Sequence, residues 1–498
     1  MMRKLERSRV QPFMAAMALL LVAGCAVGPD FKKPAAPDVS DYTASPLATT
    51  AATNVAGGEA QSFAKGSDIS ADWWTLFHSK PLNDLIEQSL ANNHDLKAAQ
   101  AALSVAGENV LAQRGIYYPS VAGNVSATRQ KQSGALAPTP ISNAFQYSLF
   151  TTQVSVSYVP DVFGLNRRTT ESLEAQEQAV RFQMIATYTT LTANVVATAI
   201  QEAALQAQID ATRQLIDSDS NAVQILQYQL AKGYASGIDL AAQQSQLAQI
   251  SATLPPLVKQ SVQLHNLLAV LVGQFPSQAP DERFDLSSLQ LPKKLPVSLP
   301  SALVAQRPDV LQAEANLHAA SAQIGIAIAN RLPNIELTAN TGSAALAIDQ
   351  LFTSGTGFWN LGAAVTAPFF QGGTLLHQQR AAQAAYTESA EQYRSTVLTA
   401  FQNVADTLTA LEQDADGLKA TATAADAAKV TLDLAQRLLQ DGYTGQLALI
   451  NAEQTYQQAQ INLVQAEANR FADTAALFQA LGGGWWHRAD LAENKDGK

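Results

Sequence analysis

Apolar and polar residues alternate along four segments of the chain, each about ten residues long. The apolar positions are Val121, Gly123, Val125 and Ala127; Val154, Val156 and Tyr158; Ile335, Leu337 and Ala339; and Trp359, Leu361, Ala363 and Val365. Alternation with a period of two predicts β-strands that bury one face. A tilted strand of this length can cross a bilayer, but a soluble antiparallel sheet alternates in the same way. The pattern alone leaves both interpretations open.

A membrane location would place a strict condition on these strands. Unpaired backbone groups cannot face hydrocarbon, so strands in lipid must belong to a closed barrel. About eight strands are the practical minimum for closure, and this chain supplies four. Several copies would therefore have to share one barrel, whose strand number would be a multiple of four.

Two long stretches, Leu165–Lys232 and Thr374–Asp441, contain no Pro and one Gly between them. They predict helices of up to about 100 Å, too polar to span a bilayer. Apolar residues recur at every seventh position, which favours coiled-coil packing. These residues are Ile209, Ile216, Val223 and Leu230, and then Val464, Phe471 and Phe478, with Ala468 and Ala475 between them. Asp219 and Gln457 interrupt this pattern. A solid two-stranded coil would tolerate few polar residues in its seam, so we expect such residues to line a wide aqueous tube.

The chain also repeats itself. The pairs Gly233-Tyr234 and Gly442-Tyr443 lie 209 residues apart, and Pro119 and Pro333 lie 214 apart. These anchors indicate a tandem duplication. Each copy predicts a helix (about 82–115 or 308–330), two strands, a very long helix, a Gly-Tyr turn and a closing helix. The predicted segments are an N-terminal region over 25–81, a first repeat over 82–273, a Pro-rich linker over 274–300, a second repeat over 301–484 and a polar tail over 485–498.

Charge and residue usage exclude several classes of function. The net charge of −10 argues against a nucleic-acid partner, because phosphate binding needs clustered Lys and Arg. A single cysteine, Cys25, excludes an internal disulfide and a Cys-rich metal site. The six His residues show no paired-ligand spacing, and no phosphate loop or GxSxG motif occurs. The sequence predicts no catalytic residue, metal or cofactor.

Residues 1–24 are predicted to be a lipoprotein signal peptide. A basic start precedes "FMAAMALLLVAG", an apolar run too short to span a membrane. The following "LVAGC" resembles the bacterial lipobox, in which cleavage exposes the Cys for acylation. We therefore expect a diacylglycerol and an N-acyl chain such as palmitate on Cys25. An ordinary signal peptide with a Cys at its cleavage site is the alternative. Ala26, where an Asp would retain the protein in the inner membrane, favours the outer membrane.

Several motifs resemble one known family. They are the lipobox with "AVGPDFKKP", then "DWWTLFHSKPLNDLIEQSL", "RPDVLQAEANL", "GIDLAAQQSQLAQ" and "LGGGW". In this order they are similar to TolC-like outer-membrane efflux channels, in particular to the lipoprotein branch that serves resistance-nodulation-division pumps. The likeness covers nearly all of residues 25–486.

The resemblance implies a mostly α-helical homotrimer. Each chain would give four strands to a twelve-stranded barrel in the outer membrane, and its long helices to an α-helical barrel in the periplasm. Such proteins are not enzymes but passive exit ducts of tripartite pumps, working with an inner-membrane transporter and a periplasmic adaptor. The exit duct of a protein-secretion (type I) system shares this fold and remains an alternative. A periplasmic coiled-coil adaptor lipoprotein would explain neither the strands nor the duplication.

The resemblance also gives the repeated turns a role. Gly233, Tyr234 and Gly237, and likewise Gly442, Tyr443 and Gly445, would form helix-hairpin tips where the duct closes and the adaptor docks.

The family's tip carries a Leu, an Asp and an Arg at positions that correspond here to Leu447, Asn451 and Gln454. Because both charges are lost, we expect closure by a Leu447 ring and amide hydrogen bonds. In three copies Asp239 would form an acidic ring, unless it only stabilises a helix start.

Overall fold

The computed structural model describes residues 26–45, 47–131, 146–279 and 284–491. The predicted signal peptide, Cys25 and the last seven residues of the tail lie outside the described residues. The chain divides into two compact units. Of the described residues, the first unit contains 26–34 and those within Leu103–Val180 and Ala313–Tyr393, and the second contains the intervening segments and the C-terminal part. Each unit thus takes segments from both repeats.

The strands and α-helices follow the order expected for a duplicated chain. They are β1 (Ser62–Lys65), α1 (Lys80–Asn92), α2 (His94–Gly115), β2 (Ser120–Lys131), β3 (Gln146–Tyr158), α3 (Leu165–Ala231), α4 (Gly237–Leu271), β4 (Lys294–Val297), α5 (Pro300–Gln306), α6 (Pro308–Ala329), β5 (Asn334–Ala345), β6 (Gly357–Thr366), α7 (Thr374–Gln440) and α8 (Gln446–Ala480). The predicted mostly helical fold with four long strands is confirmed.

The four long strands form one antiparallel sheet in the first unit, in the order β2-β3-β5-β6. Val121 pairs with Val156, Val156 with Ala339, and Ala339 with Leu361. Directly paired residues lie on the same face, so the register joins the four predicted apolar faces into one continuous face. Within the described residues, β2 and β6 are each paired on one side only.

The apolar face of this sheet is not covered by its own chain. Val121, Val125, Trp359, Leu361 and Val365 are all between 68% and 79% exposed. A soluble sheet would bury such a face against a core, because burial of apolar surface is the main stabilising term in folding. The interpretation as a soluble sheet is therefore wrong, and this face requires a cover from outside the protomer.

The start of the described chain is held tightly in the first unit. Val27 N donates at 3.1 Å to the carbonyl oxygen of Phe163, which lies in the short connection between β3 and α3. The buried guanidinium of Arg168 donates to Val27 O at 3.0 Å and Gly28 O at 3.3 Å, and it pairs with Asp30 at 2.7 Å. These bonds fix residues 27–30 beside the end of β3 from which the helices continue.

The long helices α3 and α7 each contain 67 residues, as the absence of internal helix breakers predicts. Within the described residues, no helix combines the length and the apolar character that are needed to cross a bilayer.

The predicted helix over 82–115 is wrong in one respect, because it is interrupted at Asn93. This residue has ψ of 129° and separates α1 from α2. Its Oδ1 accepts from Leu96 N at 3.0 Å, and its Nδ2 donates to Leu271 O at 3.0 Å. An Asn that caps the following helix in this way stabilises a break between two helices.

The core of the second unit contains an aromatic cluster. Trp73, Phe77, Phe471 and Phe478 are fully buried, and the rings of Trp73 and Phe478 stack at 5.2 Å. Trp73 and its neighbour Trp74, which is also buried, therefore act as packing anchors of this core. Beside this core, β1 pairs in parallel with β4, so the N-terminal region and the Pro-rich linker form a small sheet together.

Arg470 lies fully buried in the same unit. Its guanidinium donates to Leu411 O at 2.9 Å, to Thr50 Oγ1 at 3.4 Å and to Glu59 O at 3.5 Å. Burial lowers the pKa of Arg470, and burial together with Asp414 raises the pKa of Asp473 to about 7. The guanidinium therefore connects α7, α8 and the N-terminal segment through buried polar contacts.

Candidate functional site: the ends of the helix hairpins

Both repeats end their long helix in the same turn. Gly233 has φ of 77° and Gly442 has φ of 76°, a left-handed conformation that favours glycine. The next residue closes the turn in each case, since Tyr234 N and Tyr443 N donate at 2.8 Å to Gln229 O and Leu438 O. This is the usual way to satisfy the last carbonyls of a helix. The duplication detected in the sequence therefore extends to the hydrogen bonds of the turn.

The other two glycines of the tips have different positions. Gly237 is the first residue of α4, and Gly445 is the N-cap of α8 with a negative φ. Neither takes the left-handed conformation. The side chains of Tyr234 and Tyr443 are 83% and 80% exposed, so each tip presents an uncovered aromatic ring.

Leu447 lies in the first turn of α8 and is 67% exposed. Asn451 is exposed one turn further along the same helix face. The two residues form an apolar and a polar position that point away from the protomer's own core.

Gln454 faces the first hairpin instead. Its Nε2 donates to Oε1 of Gln246 at 2.5 Å, and Gln446 Nε2 donates to Oε1 of Gln243 at 2.8 Å. Gln243 and Gln246 are both buried. We call these four glutamines the amide clasp. The clasp joins the first hairpin (α3 and α4) to the second (α7 and α8) through two bonds between neutral side chains. Only Gln454 of this set was identified from the sequence.

Asp239 forms a capping box at the start of α4. Its Oδ2 accepts from the Ser236 hydroxyl at 2.7 Å and from Ser236 N at 3.3 Å, while Ser236 Oγ accepts from Asp239 N at 3.2 Å. Such a box stabilises a helix start by satisfying free backbone N–H groups. The geometry supports the interpretation of Asp239 as a helix-start acid over that of an acidic ring.

Asp219 departs from its predicted position. It was expected to line an aqueous tube, but it is fully buried in the described structure. It faces Glu453, which is 4% exposed, so α3 and α8 bring two carboxyl groups together beside the clasp. Burial raises the pKa of both groups, and burial with the nearby Asp219 raises that of Glu453 to about 8. A helical period cannot reveal such a pair, because the partners come from different repeats.

Along the same turns of α8, the second hairpin packs through apolar residues. Leu432 and Ala435 of α7 contact Leu449 and Ala452 of α8, with Leu439 and Tyr456 at the edge. Among the residues that the structure describes, no three His, Cys, Asp or Glu side chains come close enough together to hold a metal.

Known proteins resemble this chain in sequence over most of its length. The family model described as "Outer membrane efflux protein" matches residues 85–274 and 299–483. The toluene efflux pump outer membrane protein TtgF of Pseudomonas putida is 30% identical over 473 residues, which is 93% of this chain and 95% of that protein.

Solved structures agree with the sequence relatives. The outer-membrane channel OprN superposes with a TM-score of 0.81 at 25% identity, covering 93% of this chain and 100% of that one. The outer membrane protein VceC from Vibrio cholerae superposes with a TM-score of 0.77 at 27% identity, covering 84% and 99%. The predicted function in efflux and the predicted outer-membrane location are confirmed. Since the family model spans most of both repeats, this chain belongs to the outer membrane efflux protein family.

Proposed function

We propose that three copies of this chain form the outer-membrane exit duct of a tripartite pump. An inner-membrane transporter of the resistance-nodulation-division class and a periplasmic adaptor deliver small molecules to the duct, which conducts them passively to the outside. Relatives named as toluene efflux proteins support small apolar or amphipathic substrates.

The uncovered sheet is the observation that carries this proposal. One face of the sheet exposes a continuous set of apolar side chains, and the paired row Ala122, Ser155, Asn340 and Asn360 on the other face is mainly polar. The two outer strands have unpaired edges within the described residues. Closure with further copies pairs those edges, places the apolar face in lipid and leaves the polar face around a wet lumen.

Purified protein reconstituted in planar bilayers tests the proposal. We expect discrete conductance steps, and a trimer that resists SDS until it is heated. Co-purification with tagged inner-membrane transporters would then identify the pump. A detergent-extracted monomer without conductance would contradict the proposal.

At the periplasmic end, closure rests on uncharged groups. The amide clasp holds the second hairpin against the first, and Leu447 from three copies narrows the bore. The exposed rings of Tyr234 and Tyr443 offer contacts to the adaptor.

Replacing Leu447 with alanine is expected to raise the conductance of the isolated trimer. The side chain is exposed in the protomer, so its loss removes little of the protomer's own packing but widens an apolar constriction. Single-channel recording measures the closed level. Leu447→Met, which keeps an apolar side chain of similar volume, serves as the control and should behave as the native protein does. An unchanged closed level in Leu447→Ala would rule out a leucine ring.

We also propose that the mature chain is acylated at Cys25. The fixed position of residues 27–30 beside the end of β3 supports this, because it keeps the start of the mature chain next to the membrane-facing sheet. Two or more acyl chains would anchor it stably.

The Cys25→Ser variant should lose the lipid. We expect intact mass spectrometry of the native protein to show a chain that begins at residue 25 and carries three acyl groups, and the variant to lack all of them. A native chain that begins at another residue, or one that carries no lipid, would overturn the assignment.

A further inference from the structure

Two buried carboxyl groups, one from each hairpin, lie beside the amide clasp. Asp219 belongs to the first hairpin and Glu453 to the second. Gln243, itself fully buried, lies against Asp219 and accepts a hydrogen bond from Gln446 through its Oε1. Asp219, Gln243 and Glu453 therefore form one buried polar layer, contributed by α3, α4 and α8, within a few turns of the tips.

The acids of this layer make no hydrogen bond of ordinary geometry, although the side-chain amide of Gln243 lies beside Asp219. Both carboxylate oxygens of Asp219 and Oε2 of Glu453 have no hydrogen-bond partner, and Nε2 of Gln243 has none either. A buried carboxylate without a donor or a cation is strongly unfavourable. A proton held between the two carboxyl groups removes one charge and supplies the missing donor, as in other pairs of close carboxyls.

No basic side chain in the described part of the chain offsets the two acids. Burial makes the largest contribution to the raised pKa of Glu453, and the nearby Asp219 raises it further. Burial also raises the pKa of Asp219, while the neighbouring side chains of Glu453 and Gln243 lower it by less. Of the charged residues on neighbouring turns, Asp217 on α3 and Lys429, Asp433 and Arg437 on α7 are exposed to solvent, and Asp239 on α4 is half-buried in its capping box with Ser236.

We propose that Asp219 and Glu453 form a proton-operated lock, which holds the two hairpins together while it keeps a shared proton and favours their separation when that proton leaves. Loss of the proton leaves two like charges facing each other in a buried layer, and moving α8 away from α3 lets water reach both. The consequence for the duct rests on the function proposed above: separation of the hairpins opens the periplasmic end.

The sign of the pH dependence follows from the direction of the shift. A carboxyl whose pKa is raised in the closed arrangement binds its proton more tightly there than in the open one. The closed state is therefore most stable below the ordinary value of 4.5, and it loses stability as the pH rises through about 8. Transfer of one proton permits a change in the open-to-closed ratio of up to about tenfold per pH unit within this window.

Two measurements on the full-length trimer test the lock. Infrared difference spectroscopy between pH 5 and pH 9 detects the C=O band of a protonated carboxyl. Conductance over the same range reports opening. The informative variants are Glu453→Gln and Asp219→Asn, which keep the shape of the side chain and remove one titrating group. Asp217→Asn, an exposed acid two residues from Asp219, is the matched control.

We expect the native trimer and Asp217→Asn to open progressively as the pH rises and to lose a carboxyl band near the upper end of the range. Glu453→Gln and Asp219→Asn should lack that band and stay closed throughout. A native conductance that does not change with pH, or a pH response that survives in both informative variants, would overturn the lock. Absence of conductance in every variant at every pH would instead contradict the proposed duct, while the infrared band would still report the shared proton.

Discussion

Arg470→Ala is expected to lower the free energy of unfolding by about 3–5 kcal/mol, the range measured when one member of a buried charged network is removed. The guanidinium is fully buried and donates to acceptors on α7 and on the N-terminal segment. Alanine leaves those acceptors without a donor and leaves a cavity where the side chain was. Asp473 and Asp414 would also lose the nearby positive charge.

Heat-induced dissociation of the detergent-solubilised trimer and urea unfolding followed by helical circular dichroism measure this effect. Arg437→Ala is the matched control, because Arg437 is an exposed arginine on α7 and its loss should cost little. Arg470→Lys should be intermediate, since an ammonium keeps the charge but cannot reach acceptors in several directions. Equal unfolding curves for Arg470→Ala and Arg437→Ala would show that the buried contacts contribute nothing.

Gln454→Ala is expected to open the periplasmic end. The variant removes the donor to Gln246, which is 3% exposed and would keep an unsatisfied buried carbonyl in the closed state. That costs about 1–3 kcal/mol, which corresponds to a fall of about 5- to 150-fold in the closed-to-open ratio. Single-channel recording of the isolated trimer measures the ratio directly.

The chain offers a close control for this change. Gln458 lies one turn further along α8, and its amide donates to Asn462 on the same exposed helix surface at 2.9 Å. Gln458→Ala should leave the ratio unchanged. The double variant Gln246→Leu with Gln454→Leu should recover much of the closed state, since replacing both partners of a buried bond by apolar groups is nearly neutral. Opening by Gln458→Ala to the same extent would show that the clasp has no special role.

Two kinds of buried polar contact join the two hairpins. The bonds of the amide clasp join neutral side chains and do not titrate, whereas the proposed lock beside them depends on a proton. A duct closed in this way needs no ionic latch, which fits the replacement of both family charges by Asn451 and Gln454. Adaptor binding at the exposed tyrosines and release of the proton would act on the same two hairpins.

Sequence alone determined the features that depend on local periodicity. Alternation along 120–128 and 357–366 predicted the strands, and the absence of Pro and Gly predicted the long helices, because such patterns report which face of an element is buried. The repeated glycines predicted the turns, since a left-handed residue is required at one position in each.

Only the tertiary structure decided the features that join distant segments. Asn93 separates two helices, and Leu271 O accepts from its amide there. Pro255 and Pro256 lie inside α4, although a proline lacks the N–H that a helix interior needs. Asp219 was expected to face water, but the first hairpin buries it against Glu453 of the second. The periodicity of apolar residues indicates which face of a helix is buried, but it does not indicate which other helix will cover that face. The partners of Gln246 and Asp219 are therefore set by the packing of one repeat on the other, and those of Arg470 by the packing of the N-terminal segment and α7 on α8.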